Sequence, residues 1–248
     1  MSTILQVEGL TRRFGGLTAV NAVTIDLRIG EVHAVIGTNG AGKSTLINML
    51  SGEIASSEGR IQLSGADVTR QPQPRRALSG IGRSYQRTTI FPEFTVHENC
   101  RLAAQARNPR PWALWQSARA CGASVQAADA ALEATGLAPV ASRLAGTLSH
   151  GAKRQLEVAM CLATQPRVLL LDEPLAGMGA EETDRMLALL ERLKPRHAIL
   201  LVEHDMDAVF RIAERITVMV KGAVIASGSP DAIRNDPQVR SAYLGEEH

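Results

Sequence analysis

The feature that most constrains the fold of this chain is a glycine-rich segment between an apolar run, residues 32–36, and a helical pattern, residues 43–50. Its residues are Gly37, Thr38, Asn39, Gly40, Ala41, Gly42, Lys43 and Ser44. Glycines permit positive φ angles and close approach of the backbone, so successive N–H groups can surround an anion. The following helix presents the positive end of its dipole to the same place. The pattern GxxxxGK[ST] between a strand and a helix therefore predicts a loop that binds phosphate groups.

The polar residues at the end of this loop have predicted roles. Lys43 would reach the β- and γ-phosphates of a nucleotide, and the Ser44 hydroxyl would bind Mg²⁺. The predicted nucleotide contacts extend to Thr45 in the first turn of the helix. A glycine-rich turn with a purely structural role is the alternative interpretation, and the strand and helix on either side favour the phosphate-binding one.

A second signal is an apolar strand that ends in two carboxylates. The run 168–171 is followed by Asp172 and Glu173, at the carboxyl end of a predicted buried strand. In α/β proteins that edge of the sheet binds ligands. We expect Asp172 to hold Mg²⁺ through water, and Glu173 to orient or deprotonate an attacking water. A strand followed by an acidic helix cap is common, so the pair indicates function only beside the phosphate-binding loop.

Length and composition narrow the class of protein. A chain of 248 residues, 45% of them hydrophobic, can bury a large core as one large domain or two small ones. The 27 basic and 25 acidic residues give a net charge of +2, which provides no overall attraction to nucleic acid. No apolar run approaches the roughly 20 residues of a membrane helix, and no signal peptide is visible. The three separated cysteines predict neither a disulfide framework nor a metal site.

The order of elements predicts an α/β fold with a mostly parallel sheet covered on both faces. The predicted strands cover residues 4–8, 22–27, 32–36, 60–63, 81–86, 167–171 and 198–202, with a hairpin at 216–220 and 223–226. The predicted helices cover residues 43–50, 95–107, 112–135 and 180–193, and another begins after Ser149. Thr95 and Glu98 form a predicted capping box, and Gly52 a predicted C-cap. Residues 95–145 are rich in Ala and Leu with almost no strand pattern, which indicates an inserted helical lobe.

A third segment carries the resemblance to a known family. Residues 148–152 read Leu-Ser-His-Gly-Ala, and Ser149 lies 172 − 149 = 23 residues before Asp172. This segment resembles the LSGGQ signature. Together with the two motifs above, it indicates a resemblance to the ATP-binding subunits of ABC transporters that covers nearly the whole chain. The resemblance implies that Ser149 and Gly151, at a helix N-terminus, close over ATP held by the loop of a second subunit. Simple helix capping by Ser149 is the alternative interpretation.

The resemblance also implies an architecture. The fold expected is that of a P-loop NTPase of the ABC type: an α/β core with a mostly parallel sheet, N-terminal antiparallel strands and an inserted α-helical lobe. Residues 1–248 would form a single ATP-binding domain, with the helical subdomain at about 87–160.

Three more residues match the family's site. Gln86 resembles the glutamine that approaches Mg²⁺ and the attacking water, and its loop, about 87–95, would touch the membrane subunit. His204 resembles the histidine that contacts the γ-phosphate, where an imidazole can donate to developing charge. Phe14 resembles the aromatic residue that stacks on adenine. The alternatives are a core or capping histidine at position 204 and a core phenylalanine at position 14.

The subgroup that the chain most resembles is the branched-chain amino acid type, which includes relatives for urea, short amides and other small metabolites. The segments that carry this resemblance are 14–17, 82–86, 176–178, 203–206 and 242–245. Residues 148–151 with Lys153 also resemble urea-type members. The lipopolysaccharide-export ATPase shares some of these features, including the terminal Tyr-Leu-Gly. We therefore expect an importer ATPase for branched-chain amino acids or related metabolites, with lipopolysaccharide export and urea or short-amide import as alternatives.

Some positions depart from the family pattern. Ala152 stands where the signature usually has Gln, and His150 replaces a Gly. Gly179 stands where the loop between the two ATP sites usually has Asp or Asn, which puts communication between those sites in doubt. Thr38 replaces a common Pro in the phosphate loop, where the backbone does the binding.

The resemblance implies a reaction and a set of partners. The reaction is Mg²⁺-dependent hydrolysis of ATP to ADP and phosphate, coupled to transport. The partners are transmembrane permease subunits, a second ABC ATPase that is identical or related and, indirectly, a substrate-binding protein, with no nucleic acid. The chain would lie on the cytoplasmic face of the inner membrane as a peripheral protein. Trp112 and Trp115 are expected to pack as one helix face, with contact to a membrane subunit as the alternative.

Two other classes of protein are disfavoured. ABC-type ATPases that act in translation or DNA maintenance usually carry two cassettes or a long coiled-coil insertion, and this sequence shows neither pattern. A regulator that binds nucleotide without hydrolysis is disfavoured by Glu173. The transported substrate is not encoded in such a chain, because an ATPase subunit does not touch it.

Overall fold

The computed structural model describes residues 3–85, 89–107 and 121–244. Within these ranges the strands are β1 (Thr3–Phe14), β2 (Leu17–Arg28), β3 (Val32–Gly37), β4 (Glu58–Leu63), β5 (Ala66–Asp67), β6 (Ile81–Arg83), β7 (Val168–Asp172), β8 (Ala198–Val202), β9 (Arg215–Val220) and β10 (Ala223–Gly228). The α-helices there are α1 (Lys43–Ser51), α2 (Gln73–Ser79), α3 (Val96–Gln105), α4 (Gly122–Thr135), α5 (His150–Ala163), α6 (Ala180–Leu193), α7 (Met206–Ile212), α8 (Pro230–Asn235) and α9 (Pro237–Leu244). Gln86, Trp112 and Trp115 lie outside the described residues.

The N-terminal strands form an antiparallel sheet. In the described residues its order is β2-β1-β4-β5. The predicted alternation is confirmed in β2, where Val23, Ile25 and Leu27 are buried and the residues between them are not. The predicted strands 4–8 and 22–27 are too short, since β1 and β2 have 12 residues each. Register shifts between them let the pairing continue past the points where the alternation breaks.

The second sheet carries the parallel strands. Its order in the described chain is β10-β9-β3-β8-β7-β6, and the strands from β9 to β6 are parallel. Every residue of β3, β7 and β8 is buried, as expected for strands with helices on both faces. The predicted hairpin is confirmed, because β10 returns antiparallel to β9 through Lys221 and Gly222. Both turn residues have positive φ, 48° and 83°, which matches the twist that a two-residue hairpin requires.

Apolar layers cover both faces of the parallel sheet. On one face, α1 buries Leu46 and Leu50 against alternate residues of β7 and β8 and against the N-terminal strands. On the other face, α6 buries Met186 and Leu190 against the remaining residues of the same strands. The apolar residues of α6 recur at helical spacing. The α/β class and the mostly parallel sheet are therefore confirmed.

A helical cluster forms from α3, α4 and α5, which pack around Cys100, Leu132 and Leu156. Thr95 caps α3 by accepting a hydrogen bond from the Glu98 N–H at 3.1 Å, which confirms that half of the predicted capping box. The three helices share one apolar cluster, as expected for a small helical lobe.

The predicted limits of these helices are only partly accurate. Helix α4 confirms residues 122–135 of the helix predicted over 112–135, and residues 112–120 of that prediction lie outside the described ranges. Helix α5 continues to residue 163, and the subdomain limits of 87–160 stay a prediction. No helix in the described part of the chain combines the length and the hydropathy needed to cross a lipid bilayer.

Helix α2 has no counterpart in the sequence-based prediction. It places Arg76 in the interior, where the guanidinium donates to the carbonyl oxygens of Met49 (2.6 Å), Leu50 (2.9 Å) and Thr69 (2.8 Å). The first two carbonyls belong to the last turn of α1, which ends at Gly52 in the left-handed conformation, as predicted. The buried residue of α2 is a cation that pairs with distant carbonyl groups, so the helix has no periodic pattern of apolar residues. Its sequence therefore gives no signal from which a helix could be predicted.

The carboxyl ends of three parallel strands meet at one edge of the sheet. β8 lies between β3 and β7 and pairs with both. The segments that follow Gly37, Asp172 and Val202 therefore lie next to each other, at the edge where α/β sheets bind ligands.

Candidate functional site

The loop after β3 is shaped by its glycines. Gly40 and Gly42 have φ angles of 77° and 99°, in the left-handed region that favours glycine. Gly42 is the N-cap of α1, and a Cβ at this position would lie 2.3 Å from the carbonyl oxygen of Ala19. The loop can therefore lie against β2 only without a side chain there. The loop and first-turn residues that keep solvent exposure are Thr38, Asn39, Gly40, Gly42, Ser44 and Thr45.

Lys43 begins α1 and turns back across the loop. Its ammonium donates to the carbonyl oxygens of Gly37 at 2.6 Å and Thr38 at 3.0 Å. Burial lowers the pKa of Lys43, whereas the neighbouring carboxylates of Glu173 and Asp172 raise it. The loop, the cation and the two carboxylates are thus electrostatically coupled at this edge of the sheet.

Asp172, the last residue of β7, is only 3% exposed. Its Oδ2 lies 3.8 Å from Nη2 of Arg83, and its Oδ1 has no hydrogen-bond partner among the described residues. Burial raises the pKa of Asp172, and the charge of Arg83 opposes that increase. A buried carboxylate oxygen without a partner is costly, and oxygen donors of this kind are the ligands that Mg²⁺ takes. Asp172, with the exposed hydroxyl of Ser44, therefore fits a divalent cation.

Arg83 was not among the predicted site residues. It ends β6, next to β7, and its guanidinium donates to Asn48 Oδ1 (2.5 Å), Ser51 Oγ (2.9 Å) and Glu53 Oε2 (2.5 Å). These acceptors lie in α1 and in the turn after it, so Arg83 ties the helix that follows the phosphate loop to the strand beside Asp172. A basic residue at the carboxyl end of a short strand was the available signal.

Glu173 follows β7 with an unusual backbone conformation. Its φ is 50°, in the left-handed region that a non-glycine residue rarely adopts. Its N–H donates to the carbonyl oxygen of Val202 at 2.9 Å, at the end of β8. Its Oε1 lies 2.5 Å from Nε2 of His204, within hydrogen-bond distance. The strained turn therefore places the predicted base and the predicted histidine side by side.

Glu203 holds these two segments together and had no predicted role of its own. Its buried carboxylate accepts from the Leu175 N–H at 2.7 Å and from the His204 N–H at 3.2 Å. Burial raises the pKa of Glu203, and these backbone hydrogen bonds oppose that increase. The signal existed in the sequence, because Glu203 follows buried strand β8 as Glu173 follows β7.

A cleft of about 750 Å³ brings most of the predicted nucleotide contacts together. The residues that line it are Phe14, Leu17, Thr18, Ala19, Asn39, Gly40, Ala41, Gly42, Lys43, Ser44, Thr45, Glu173, His204, Lys221 and Gly222. Phe14 is 45% exposed, so it is not a core residue, and the Arg12 guanidinium lies 4.5 Å from its ring centroid. Lys221 and Gly222, in the hairpin turn, were not predicted to line a site. Gly222 reaches the loop by donating its N–H to the carbonyl oxygen of Ala41 at 3.0 Å.

The predicted signature residues lie elsewhere. Ser149 and Gly151 are at the start of α5 and are not part of the cleft lining. The Ser149 side chain caps α5 by accepting from the Ala152 N–H at 3.2 Å. His150 Nε2 lies 3.0 Å from the carbonyl oxygen of Ala176, in the loop that follows β7. Within one chain, the signature is thus linked to the loop after β7 but does not face the phosphate loop.

Tyr85 and Thr89, the described residues on either side of positions 86–88, both contact α5. Arg154 donates to the carbonyl oxygen of Tyr85 at 3.2 Å, and the Thr89 N–H donates to Glu157 Oε1 at 3.1 Å. Arg154 and Glu157 also pair with each other at 2.9 Å. Gln86 itself lies outside the described residues, so its role stays a prediction.

The sheet edge and its glycine loop define a P-loop nucleotide-binding protein. Comparison with known families gives a match of residues 20–176 to the ABC transporter family. Residues 223–248 match a second family, described as branched-chain amino acid ATP-binding cassette transporter. The chain belongs to the ABC transporter family, as the resemblance in its motifs predicted.

Relatives of known description are similar over nearly their full lengths. The high-affinity branched-chain amino acid transport ATP-binding protein BraF of Pseudomonas aeruginosa is 41% identical over 251 residues, which cover 98% of each chain. The corresponding protein LivG of Escherichia coli is 41% identical over 250 residues, again with 98% of each chain covered. A solved structure of the ADP conformation of MJ1267, an ATP-binding cassette of an ABC transporter, superposes with a TM-score of 0.87 at 29% identity, over 99% of this chain and 100% of that one.

These similarities confirm the ABC ATPase fold, with its antiparallel N-terminal strands and its helical region. They also identify the chain as an ATP-binding subunit of a transporter, in a family that couples ATP hydrolysis to transport.

Proposed function

We propose that this chain is the Mg²⁺-dependent ATPase subunit of an importer for branched-chain amino acids or related small metabolites. The observation that carries the proposal is the 41% identity to BraF and LivG along nearly the whole of each chain. The match of residues 223–248 to the branched-chain amino acid family supports the same substrate class, rather than lipopolysaccharide export.

The phosphate chain of ATP would lie against the loop between β3 and α1. The backbone N–H groups from Gly37 to Thr45 would donate to the β- and γ-phosphate oxygens. The Lys43 ammonium, which now donates to two loop carbonyls, would donate to phosphate oxygens instead. The exposed ring of Phe14 at the same cleft would stack on adenine.

The residues proposed to hold Mg²⁺ are Ser44, Asp172 and Gln86. The Oδ1 of buried Asp172, which has no hydrogen-bond partner among the described residues, and the exposed hydroxyl of Ser44 support this assignment. Mg²⁺ bound there would neutralise charge on the β- and γ-phosphate oxygens. Arg83 would act as a positioning residue, because it fixes α1 relative to β6 and limits the movement of Asp172.

Hydrolysis would follow from positioning and electrostatics. A water molecule attacks the γ-phosphorus, the Glu173 carboxylate accepts its proton, and the bond to the bridging oxygen breaks to release ADP and phosphate. His204, within hydrogen-bond distance of Glu173, would donate to charge that develops on the γ-phosphate. Glu203 would position both groups through its hydrogen bonds to the segments that carry them.

A second cassette would complete the site. Ser149 and Gly151 do not face the cleft of their own chain, which supports a head-to-tail sandwich in which they close over ATP on a partner, identical or related. Permease subunits would bind the cassette on the cytoplasmic face of the inner membrane, and a substrate-binding protein would deliver the amino acid from the other side.

The test is uptake of labelled leucine by cells that carry the wild-type chain or Glu173→Gln in place of the native copy. The variant should abolish uptake, and uptake by the wild type should be reduced by unlabelled apolar amino acids but not by urea or short amides. The control is Glu181→Gln, a carboxylate on the exposed side of α6 that pairs with Arg185. Leucine uptake that is unchanged in Glu173→Gln would contradict the proposal, and competition by urea would move the substrate class to the urea type.

A further inference from the structure

The carboxylate of Glu182 accepts hydrogen bonds from the signature of its own chain. Its Oε1 lies 3.1 Å from the Ser149 hydroxyl and 3.2 Å from the Gly151 N–H, and both groups donate to it. Glu182 belongs to the first turn of α6, and the two donors belong to the start of α5. This one oxygen atom therefore accepts hydrogen bonds from both of the signature groups that were predicted to contact phosphate.

The local structure is built around this contact. A Cβ at Gly151 would lie 2.5 Å from the carboxyl carbon of Glu182, so only glycine permits the approach. The N-terminal turn of α6 stabilises an acidic side chain through the helix dipole. His150, also at the start of α5, contacts the carbonyl oxygen of Ala176, in the loop between β7 and α6. The signature is thus linked to the first turn of α6 by two hydrogen bonds and to the loop before α6 by a third contact.

Each of the two donors has a single proton. The Ser149 hydroxyl can donate either to Glu182 or to a phosphate oxygen, and the Gly151 N–H faces the same choice. A carboxylate and a phosphate that share these donors would also repel each other at short range. The signature therefore cannot bind the γ-phosphate of ATP held by a second copy while Glu182 keeps both hydrogen bonds.

We infer that Glu182 is a positioning residue that occupies the signature's donors as an internal substitute for phosphate, and that ATP held by a second copy of this chain displaces it when the sandwich closes. The inference rests on the proposed function. The displacement requires little rearrangement, because Glu182 is half-exposed and can rotate toward solvent. The capping hydrogen bond from the Ala152 N–H to the Ser149 oxygen uses a lone pair, so the donor proton can change partner without unwinding α5.

The consequence is a lower tendency to form the sandwich. When the sandwich closes, two charge-assisted hydrogen bonds to Glu182 are replaced by two to phosphate. The signature therefore contributes less free energy of association than the new hydrogen bonds would contribute if the donors were free. Without the carboxylate, the donors would be free for phosphate from the start. We expect Glu182→Ala to lower the ATP concentration needed for association about fivefold, a value reduced for the solvent exposure of the pair.

The experiment measures ATP-dependent self-association by sedimentation velocity, with Mg²⁺ and ATP titrated against variants in the Glu173→Gln background. Glu182→Ala should shift the midpoint to about fivefold lower ATP, and Glu182→Gln, which keeps the shape and loses the charge, should shift it about twofold. Glu181→Gln is the matched control, since it removes the adjacent carboxylate, which faces Arg185, and should leave the midpoint unchanged. Thermal unfolding without nucleotide shows whether each variant is folded.

The outcomes separate the two proposals. A parent Glu173→Gln protein that shows no ATP-dependent self-association overturns the sandwich between two copies, and this inference with it. A parent that associates, with a midpoint that is equal or higher in Glu182→Ala, overturns the inference alone. With Glu173 intact, Glu182→Ala should lower the protein concentration at which ATP hydrolysis is half-maximal. The hydrolysis rate at saturating protein should stay within about twofold of the wild-type rate. If Glu182 had only a structural role, its loss would reduce that rate.

Discussion

A buried histidine in β3 makes the stability of the cassette dependent on pH. His33 is 1% exposed, with Nδ1 3.1 Å from the carbonyl oxygen of Asp26 and Nε2 2.7 Å from the Thr217 hydroxyl. A neutral imidazole satisfies both contacts, because Nδ1–H donates to Asp26 and Nε2 accepts from Thr217. Burial lowers the pKa of His33 to about 4, and the positive charge of Arg215 contributes to the decrease.

The size and the sign of the effect follow from linkage. In the unfolded chain His33 has its ordinary pKa of 6.5. Between pH 6.5 and about 4, His33 is therefore protonated in the unfolded state but neutral in the folded state. Stability is fully present above pH 6.5 and is lost as the pH falls through this window. At 1.36 kcal/mol for each pKa unit, the difference between 6.5 and about 4 amounts to about 3 kcal/mol.

The assay is urea unfolding followed by circular dichroism between pH 4 and 7.5, with His33→Asn as the variant. Asparagine keeps a donor for Asp26 and loses the contact to Thr217, so the variant should be about 1–2 kcal/mol less stable at pH 7.5. It lacks the titration, however, and should be the more stable protein near pH 4. The control is His97→Asn, a half-buried histidine on α3. Parallel stability curves for the wild type and His33→Asn would refute the reasoning.

Three further predictions concern the sheet edge. Lys43→Ala removes the cation of the loop and should weaken ATP binding about 100-fold by calorimetry, and unchanged binding would exclude its assigned role. Glu203→Ala leaves the buried Leu175 N–H and the partly buried His204 N–H without this acceptor and should reduce the free energy of unfolding by about 1–3 kcal/mol, measured with urea. Gly42→Ala brings a Cβ within 2.3 Å of the Ala19 carbonyl oxygen and should eliminate ATP binding, whereas Gly122→Ala, whose Cβ would meet no atom of the described residues within 4 Å, should not.

The phosphate loop and the carboxylate pair could be predicted because their signals are local. A strand, a glycine turn and a helix follow each other in the sequence from residue 32 to residue 51, and the loop between them has few possible conformations. Asp172 and Glu173 directly follow an apolar strand, so their position at the sheet edge follows from the parallel topology. The exposed position of Phe14 came from the family resemblance, because nothing in the local pattern separates it from a core residue.

The contacts missed from the sequence join segments that are distant along the chain. Arg83 reaches Asn48 and Glu53 across α1, and Arg76 is buried against carbonyl groups of another helix. Such side chains look like ordinary surface residues in the sequence, since charged residues are buried only where a specific partner exists. The contact of Glu182 with the signature belongs to the same group, because it spans 31 to 33 positions along the chain.

One departure from the family pattern gains a physical explanation. His150, where a glycine is usual, contacts the carbonyl oxygen of Ala176 and lies beside Gly177, whose φ is 74°. A Cβ at Gly177 would lie 3.2 Å from the imidazole, so the glycine leaves room for that ring. Nothing in the structure explains Gly179 beyond its place as the N-cap of α6.

The proposed reaction depends on Glu173, which would act on the attacking water at the phosphate loop. The most direct test measures steady-state ATP hydrolysis and ATP affinity on the same preparations of the purified wild type, Glu173→Gln and the control Glu181→Gln. Loss of a general base should reduce the hydrolysis rate of Glu173→Gln at least about 100-fold, with ATP affinity within about threefold of the wild type. Hydrolysis by Glu173→Gln at the rate of the control would contradict the role of Glu173 as general base.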